Sequence, residues 1–307
     1  MKAFYFTTMR PAMYHGQGKK PPFFEGWYYK LINADETQRY AIIPGVILGQ
    51  NGHAFMQDFW SSPKHFEIRI GPNRFTEEQL TLQIERPEGR IAGQLRLHGL
   101  RRWPVSLTAP GIMGWYAWAP KMECYHGVIS LDHAIEGVLQ IDEQRIDFSR
   151  GRGYIEKDWG QSFPAAWVWF QSNHFAAPGT CITASVAIIP WVRQAFRGFI
   201  IGLLHDNLLY RFATYTGAQI ERLHISDDHV TWAVRSRSYR LEMQASRAEG
   251  GLLHGPTRLD MGKRVAETLQ ATVDVRLDTA SGAKIFHGQG RHAGLEVHGD
   301  LDKLLNL

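Results

Sequence analysis

The sequence predicts an all-β fold made of two antiparallel units. Apolar and polar residues alternate with a period of two over most of the chain, as they do in half-buried antiparallel strands. Turn residues separate these segments at short and regular spacing, which is typical of sandwiches and barrels. A length of 307 residues favours two hydrophobic cores over one.

The first element is a leader over residues 1–22, predicted to be extended because Pro11, Pro21 and Pro22 oppose regular structure. A first β-barrel domain is predicted over residues 23–155. Its clearest strand patterns are Phe66–Ile70, Leu80–Ile84 and Ile91–Leu97.

Residues 101–121 interrupt this alternation and are predicted to form a long excursion that covers the barrel mouth. Prolines and glycines break the pattern there, and the segment is rich in aromatic residues: Trp103, Trp115, Tyr116 and Trp118. Earlier in the domain, Asn51-Gly52 predicts a tight hairpin turn.

A second β-barrel domain is predicted over residues 156–307. The same alternation returns there, and Leu301–Leu305 predicts a short helix at the end. The clearest strand patterns are Val230–Val234, Tyr239–Met243 and Leu269–Leu277.

Charge and cysteine content exclude several classes of protein. The net charge is +4 and the pI about 9.0, without any concentrated Lys/Arg stripe, so we expect no nucleic-acid partner. The charge is compatible with a transient contact with an anionic membrane surface. Cys124 and Cys181 are the two cysteines, which form neither a disulfide framework nor a zinc-binding pair.

The N-terminal residues do not follow a secretory or organelle-targeting pattern. The longest apolar region, Ser185–His205, is interrupted by Pro190, Arg193 and Arg197 and is not expected to span a membrane. We therefore expect a cytoplasmic protein, at most peripheral to a membrane.

The stretch Arg150–Phe175 combines charge with large aromatic residues. Buried charges must be paired or change protonation, so this mixture predicts a lined cavity or a domain interface. Lys157 and Asp158 are consecutive and should face opposite sides of a strand. A structural alternative, in which Glu156 and Asp158 cap turns and join two domains, remains open.

This stretch, RGRGYIEKDWGQSFPAAWVWFQSNHF, resembles the signature of the tocopherol cyclase family. Four further short motifs of this family occur in the same order as in the family: FFEGWY at 23–28, WYAW at 115–118, MECYHG at 122–127 and AGLEVHGD at 293–300. The resemblance implies two lipocalin-like barrels in tandem. It also implies an isomerase that closes a prenylated (phytyl-type) hydroquinone, a hydrophobic small-molecule substrate, into a chromanol.

Motifs for cofactor or metal chemistry are missing from the sequence. There is no G-x-S-x-G, H-E-x-x-H, P-loop or cysteine-pair zinc pattern. Gly151-Arg152-Gly153 begins a dinucleotide fingerprint that lacks its third glycine. His287, His292 and His298 have no compact ligand spacing, so we expect neither a cofactor nor a bound metal.

The implied cyclisation needs a proton donor, a cation-stabilising wall and a base. Because an alkene is a very weak base, the donor should be a carboxylic acid that an apolar site keeps protonated. Asp158 is our first candidate, followed by Glu156, Glu123 and Glu25. His126 is the candidate base, although a structural histidine is the alternative.

Aromatic faces stabilise a developing cation, and the family words supply many aromatic side chains. The predicted ligand-binding residues are Glu25, Trp27, Tyr28, Trp115, Trp118, Tyr125, Trp159, Trp167, Trp169 and Asn173. Two alternatives remain open: a non-catalytic lipocalin-like carrier of an isoprenoid, and a hydratase that acts on an isoprenoid.

Overall fold

The computed structural model describes residues 2–50, 54–55, 58–87 and 89–307. Two compact units are present. The first comprises Met1–Ser162 with Pro256–Met261, and the second Phe163–Gly255 with Gly262–Leu307. Each unit is built on one large antiparallel sheet, so the predicted all-β fold of two antiparallel units is confirmed.

The first unit contains twelve strands among the described residues. The sheet order is β4-β3-β1-β12-β10-β9-β8-β7-β6-β5, with β2 added to β1 and β11 to β10. The strands are β1 Phe23–Ile32, β2 Arg39–Ile42, β3 Gly45–Leu48, β4 Ala54–Phe55, β5 Phe59–Ser61, β6 Glu67–Ile70, β7 Asn73–Thr76, β8 Gln79–Arg86, β9 Gly89–His98, β10 Cys124–Ile141, β11 Gln144–Asp147 and β12 Gly151–Gly160.

This sheet curls around its own apolar core. Tyr29 of β1 reaches β7, five positions away in the sheet order, where its ring centroid lies 5.9 Å from that of Phe75. The Tyr29 hydroxyl also donates a hydrogen bond to the Thr76 carbonyl at 3.0 Å. A flat sheet would keep these strands far apart, so the curvature is that of a barrel.

The second unit repeats the design with ten strands among the described residues. The order is β16-β15-β14-β13-β22-β21-β19-β18-β17, with β20 added to β21. Its strands are β13 Ala166–Ser172, β14 Cys181–Trp191, β15 Gln194–His205, β16 Leu208–Ala213, β17 Gln219–Ile225, β18 His229–Arg235, β19 Tyr239–Ser246, β20 Gly251–Gly255, β21 Lys263–Thr279 and β22 Lys284–Gly299.

The second sheet is also curled around a separate core. The ring of Phe199 in β15 lies 6.1 Å from that of Trp232 in β18, and the ring of Tyr210 in β16 lies 5.1 Å from that of Tyr239 in β19. These contacts join strands from opposite ends of the sheet order. The helices are short: α1 Lys2–Thr8, α2 Leu301–Asn306 and the 3-10 helices Gly114–Trp118 and Thr214–Thr216.

The observed boundaries differ from the predicted ones in two places. A boundary between residues 155 and 156 would cut β12, which pairs along its length with β1 and β10; the units divide after Ser162 instead. The leader is not wholly extended, because Lys2–Thr8 is helical. Its first proline, Pro11, follows the helix and so does not prevent it.

Pro256–Met261 joins the first unit although its neighbours in sequence belong to the second. The Gln50 amide donates to the Arg258 carbonyl at 3.0 Å, a contact across about two hundred residues that no local pattern indicates. The predicted turn at Asn51-Gly52 lies outside the described residues.

The apolar region Ser185–His205 forms the second half of β14 and all of β15, which pair as a hairpin. Among the residues that the structure describes, no helix has the length and apolar character needed to cross a membrane.

Candidate functional site

Strand β12 lies between β1 and β10, so that both of its edges are hydrogen-bonded. In its register, Asp158 lies opposite His126 of β10, and Lys157 lies opposite Trp27 of β1. Residues that are opposite each other share a face of the sheet, and consecutive residues alternate. Asp158 and Lys157 therefore lie on opposite faces, as the alternation predicts.

On the first face, His126 stands between two carboxylates. Its Nδ1 lies 2.9 Å from Oδ1 of Asp158, and its Nε2 lies 3.6 Å from Oε2 of Glu156. The same Glu156 oxygen accepts a hydrogen bond of 2.5 Å from the hydroxyl of Tyr154. We call this arrangement the Asp158–His126–Glu156 chain; it links three of the four predicted catalytic residues.

The three members of this chain differ in exposure. The Asp158 side chain is 27% exposed, whereas those of His126 and Glu156 are 12% and 6% exposed. Opposite Asp158 on β1 is Gly26, which has no side chain to cover it. Asp158 is therefore the member that a molecule from outside can reach most easily.

Glu123, the remaining catalytic candidate, makes different contacts. Its Oε1 accepts a hydrogen bond from the Ser162 hydroxyl at 3.1 Å and lies 3.9 Å from Nη2 of Arg258. Its neighbour Cys124 points its Sγ toward Oδ1 of Asp158 at 3.9 Å. Burial and the charges of Asp158 and Glu123 raise the pKa of Cys124, so this residue is a neutral thiol rather than a nucleophilic thiolate.

The opposite face of β12 carries a closed ion pair inside the first unit. Nζ of Lys157 lies 2.5 Å from Oε1 of Glu25, and both side chains are fully buried. The same Nζ lies 2.8 Å from Nδ1 of His15 and donates to the Met13 carbonyl. It also lies 4.8 Å from the ring centroid of Trp27, and equally far from that of Trp159.

Electrostatics make Glu25 a partner of Lys157 rather than an acid. Burial alone would raise the pKa of Glu25, but the charge of Lys157 and the hydrogen bond from His15 lower it. Burial lowers the pKa of Lys157 to about 8, against the opposing attraction of Glu25. Burial, followed by the charge of Lys157, lowers the pKa of His15 to about 4, so His15 is neutral at pH 7.

Lys157 and His15 were not among the residues predicted from the sequence. Lys157 lies in the stretch Arg150–Phe175, whose mixture of charged and aromatic residues predicted buried charge. That mixture did not single out the lysine, because a lysine on a strand ordinarily faces solvent. His15 lies in the leader, where no periodic pattern exists to assign it a face. The sequence contained one indication of such a partner. Glu25 is flanked by apolar residues in the motif FFEGWY, which contains no basic residue to pair with it, so its partner had to come from another part of the chain.

Several predicted ligand-binding aromatics belong to this inner face. The ring of Trp159 is stacked between those of His15 at 4.3 Å and Tyr125 at 5.4 Å. Trp27 stacks on Phe66 at 5.8 Å. Tyr28 is buried and lies opposite Glu156, on the face of the Asp158–His126–Glu156 chain.

Trp115 and Trp118 lie in the 3-10 helix of the excursion. The Trp118 Nε1 donates to the Leu107 carbonyl at 2.8 Å, and Trp115 stacks on Tyr116 at 4.0 Å. Trp115 is exposed. These two residues therefore belong to a surface group, which is described further below.

The remaining predicted residues, Trp167, Trp169 and Asn173, belong to the second unit. Trp167 donates from Nε1 to Oε2 of Glu296 at 2.6 Å and packs against the His298 ring at 4.6 Å. Trp169 lies opposite Glu296 in the register of β13 and β22. Glu296 and His298 were missed as site residues, although the word AGLEVHGD contains both.

Asn173 lies at the end of β13, where its Oδ1 lies 2.9 Å from Nδ1 of His174. Both side chains are buried. The predicted site residues are thus divided between the two units, and three of the four predicted catalytic residues lie together in the first.

The three side chains of the Asp158–His126–Glu156 chain could also hold a metal ion, because of their chemical types and their spacing. The potential ligand atoms of His126, Glu156 and Asp158 lie within 4.8 Å of one another. Each imidazole nitrogen of His126 faces a carboxylate. This arrangement is suited to proton transfer as well as to metal binding. His287, His292 and His298, the alternative considered from the sequence, do not form such a group within the described residues.

Comparison with known proteins agrees with the sequence words. A family model described as tocopherol cyclase-like matches residues 79–299. A Zea mays protein named "Tocopherol cyclase, chloroplastic" is 23% identical over 93% of this chain and 77% of its own length. An Oryza sativa subsp. japonica protein named "Probable tocopherol cyclase, chloroplastic" gives the same identity and coverage.

Among solved structures, the crystal structure of CghA has a TM-score of 0.58 at 12% identity, covering 91% of this chain and 89% of that one. At this identity the likeness concerns the fold alone. The family model covers more than two thirds of the chain, including all of β10, β12, β13 and β22, and every predicted site residue except Glu25, Trp27 and Tyr28. The chain belongs to the tocopherol cyclase-like family.

Proposed function

We propose that the protein is an isomerase that cyclises a prenylated hydroquinone to a chromanol without a cofactor. Family membership and the names of the plant relatives support the reaction class. The observation that carries the proposal is the Asp158–His126–Glu156 chain, in which an accessible carboxyl group is joined to an imidazole and a buried carboxylate.

The cyclisation is an isomerisation, so each proton given to the alkene equals one lost by the phenol. The Asp158 carboxyl group delivers its proton to the less substituted alkene carbon, which leaves a tertiary cation. The phenol oxygen then forms a C–O bond with that cation and releases its own proton. General acid catalysis of this kind contributes about 10²- to 10⁴-fold to a rate.

His126 can return Asp158 to its protonated form after each reaction. Its imidazole takes up the phenolic proton and returns a proton to Asp158 through the 2.9 Å contact between Nδ1 and Oδ1. Glu156, itself fixed by the Tyr154 hydroxyl, faces the other nitrogen and stabilises the imidazolium. No net proton is gained or lost over one turnover.

A hydratase is the second candidate function, and the exposure of Asp158 favours it. The same tertiary cation would be captured by water if water could enter beside a side chain that is 27% exposed. Cyclisation therefore requires the bound substrate to exclude water from this face.

The test is an incubation with a phytyl hydroquinone in H₂O and in D₂O, with product analysis by mass spectrometry. Cyclisation gives a product of unchanged mass in H₂O and one carbon-bound deuterium in D₂O. Hydration adds the mass of one water instead. A non-catalytic carrier gives no product in either solvent and would overturn the proposal.

A further inference from the structure

The leader and the excursion of the first unit together build an aromatic surface. The ring of Trp118 lies 5.4 Å from that of Tyr5 and 6.3 Å from that of Phe4, both in α1. Farther along the leader, Pro11 approaches Gly111 of the excursion. We call this surface, formed by residues 4–6 and 105–118, the aromatic face.

Six apolar side chains of the aromatic face are exposed to an extent that is unusual for their type. Leu107 is 76% exposed, Tyr5 58% and Trp115 47%. Phe4, Phe6 and Val105 are exposed as well. Single exposed apolar residues are common on proteins, but contiguous groups of this kind mark contact surfaces.

The charge of the two segments has one sign. Residues 1–22 and 101–121 contain seven Lys and Arg and no Asp or Glu, in a chain that has 30 acidic residues in all. The basic residues are Lys2, Lys19, Lys20, Arg10, Arg101, Arg102 and Lys121. The guanidinium of Arg10 lies 3.7 Å above the ring of Phe6, which places a cation at the edge of the face.

A basic groove lies at the start of the excursion. It is lined by three arginines, Arg96, Arg101 and Arg102, with His98 and the single acidic residue Glu78. Arg102 is paired with Glu77, so Arg96 and Arg101 contribute most of the positive charge. An anionic group would be attracted to this groove.

We infer that the aromatic face docks on an anionic membrane surface. Aromatic side chains prefer the boundary between headgroups and acyl chains, and the basic residues of the same two segments would be attracted to anionic headgroups. A second copy of the chain fits less well, since a symmetric contact would place basic residues against basic residues. The inference does not depend on the proposed reaction, because docking is measured without substrate.

The experiment measures co-sedimentation of the full chain with phosphatidylcholine vesicles, with and without phosphatidylglycerol. We expect binding to the anionic vesicles that weakens as salt is raised, since screening shortens the reach of the basic residues. Leu107→Asp, at a side chain that contributes little to folding, should weaken binding by about tenfold or more. The matched control is Val192→Asp, which alters a residue 93% exposed in the second unit and should leave binding unchanged.

A second pair of variants tests the charge. Lys19→Glu with Lys20→Glu should weaken binding to anionic vesicles, whereas Arg237→Glu, at an exposed position of the second unit, should not. Failure of the wild type to bind, equal losses in control and test variants, or wild-type binding by Leu107→Asp would each overturn the inference. So would a dimer in light scattering that Leu107→Asp dissolves without any vesicle binding.

Discussion

At the scale of single residues, β12 carries a partly exposed carboxylic acid on one face and a fully buried lysine, paired with Glu25, on the other. Asp158 is partly accessible and joined to His126, whereas Lys157 is fully buried and neutralised by Glu25. The two environments assign different roles to neighbouring residues. One face is suited to exchange protons with a ligand, and the other to hold the structure together.

Asp158→Asn removes the transferable proton and keeps the size of the side chain. We expect chromanol formation to fall by about 10²- to 10⁴-fold, the usual contribution of a general acid. Asp58→Asn is a matched control, because Asp58 is exposed and asparagine tolerates its left-handed backbone. Near-wild-type turnover by a folded Asp158→Asn protein would exclude Asp158 and leave Glu156 and Glu123 as acids.

Lys157→Met tests the closed face. It leaves Glu25 buried without its cation, so we expect the free energy of unfolding of the first unit to fall by about 3–5 kcal/mol. Adding Glu25→Gln removes the stranded charge and should restore much of that loss. Urea unfolding of the wild type, the single variant and the double variant measures this, and a double variant as unstable as the single one would contradict the assignment.

At the scale of elements, the leader is held inside the first unit by polar contacts with β1 and β12. The Trp27 Nε1 donates to the Ala12 carbonyl at 2.9 Å, and the backbone amide of His15 donates to both oxygens of Glu25. Lys157 donates to the Met13 carbonyl. Residues 12–15 therefore behave as part of the core, although no strand contains them.

This attachment should depend on pH through His15. Its pKa is lowered to about 4 in the folded chain from an ordinary value of 6.5, so the unfolded chain binds the proton first. The contribution to stability is present above pH 6.5 and is lost as pH falls toward 4. The pKa difference corresponds to roughly 3 kcal/mol.

Urea unfolding of the wild type should accordingly show lower stability at pH 4 than at pH 6.5, with a weaker dependence in His15→Gln. His65→Gln, at an exposed histidine of the same unit, is the control and should keep the wild-type slope. An unchanged slope in His15→Gln would show that other groups cause the acid sensitivity. His133, whose burial lowers its pKa to about 3, would then be the next group to replace.

At the scale of the whole molecule, each unit has its own hydrophobic core, and each contains some of the site residues that the sequence predicted. The first unit carries the Asp158–His126–Glu156 chain, and the second carries the group of Trp167, Trp169 and Glu296. Trp27 and Trp159 lie in the first unit and Trp167 and Trp169 in the second, so the tryptophan fluorescence of the protein reports on both units.

A long-chain prenyl hydroquinone should quench the tryptophan fluorescence in a saturable manner, because the predicted site is rich in tryptophan. Asp158→Asn should retain this quenching while it loses turnover, which separates binding from chemistry. Quenching that increases linearly without saturation would indicate nonspecific contact and count against the ligand.

The alternation of residues determined the strands and, with them, which side chains share a face. This property is local, since successive side chains on a strand point to opposite sides whatever the strand pairs with. It was enough to place Lys157 and Asp158 on different faces. The family words located the central stretch, but they did not separate proton donor from ion pair.

Tertiary structure alone decided which groups meet. His126 reaches Asp158 across 32 residues of chain, and His15 reaches Lys157 across 142. Register is set by packing of whole sheets, and the position of an irregular leader by the core that it fills, so neither is encoded in a local pattern. The same long-range pairing extends the first unit through β12 to Ser162, and it makes Glu25 a buried counterion rather than a catalytic acid.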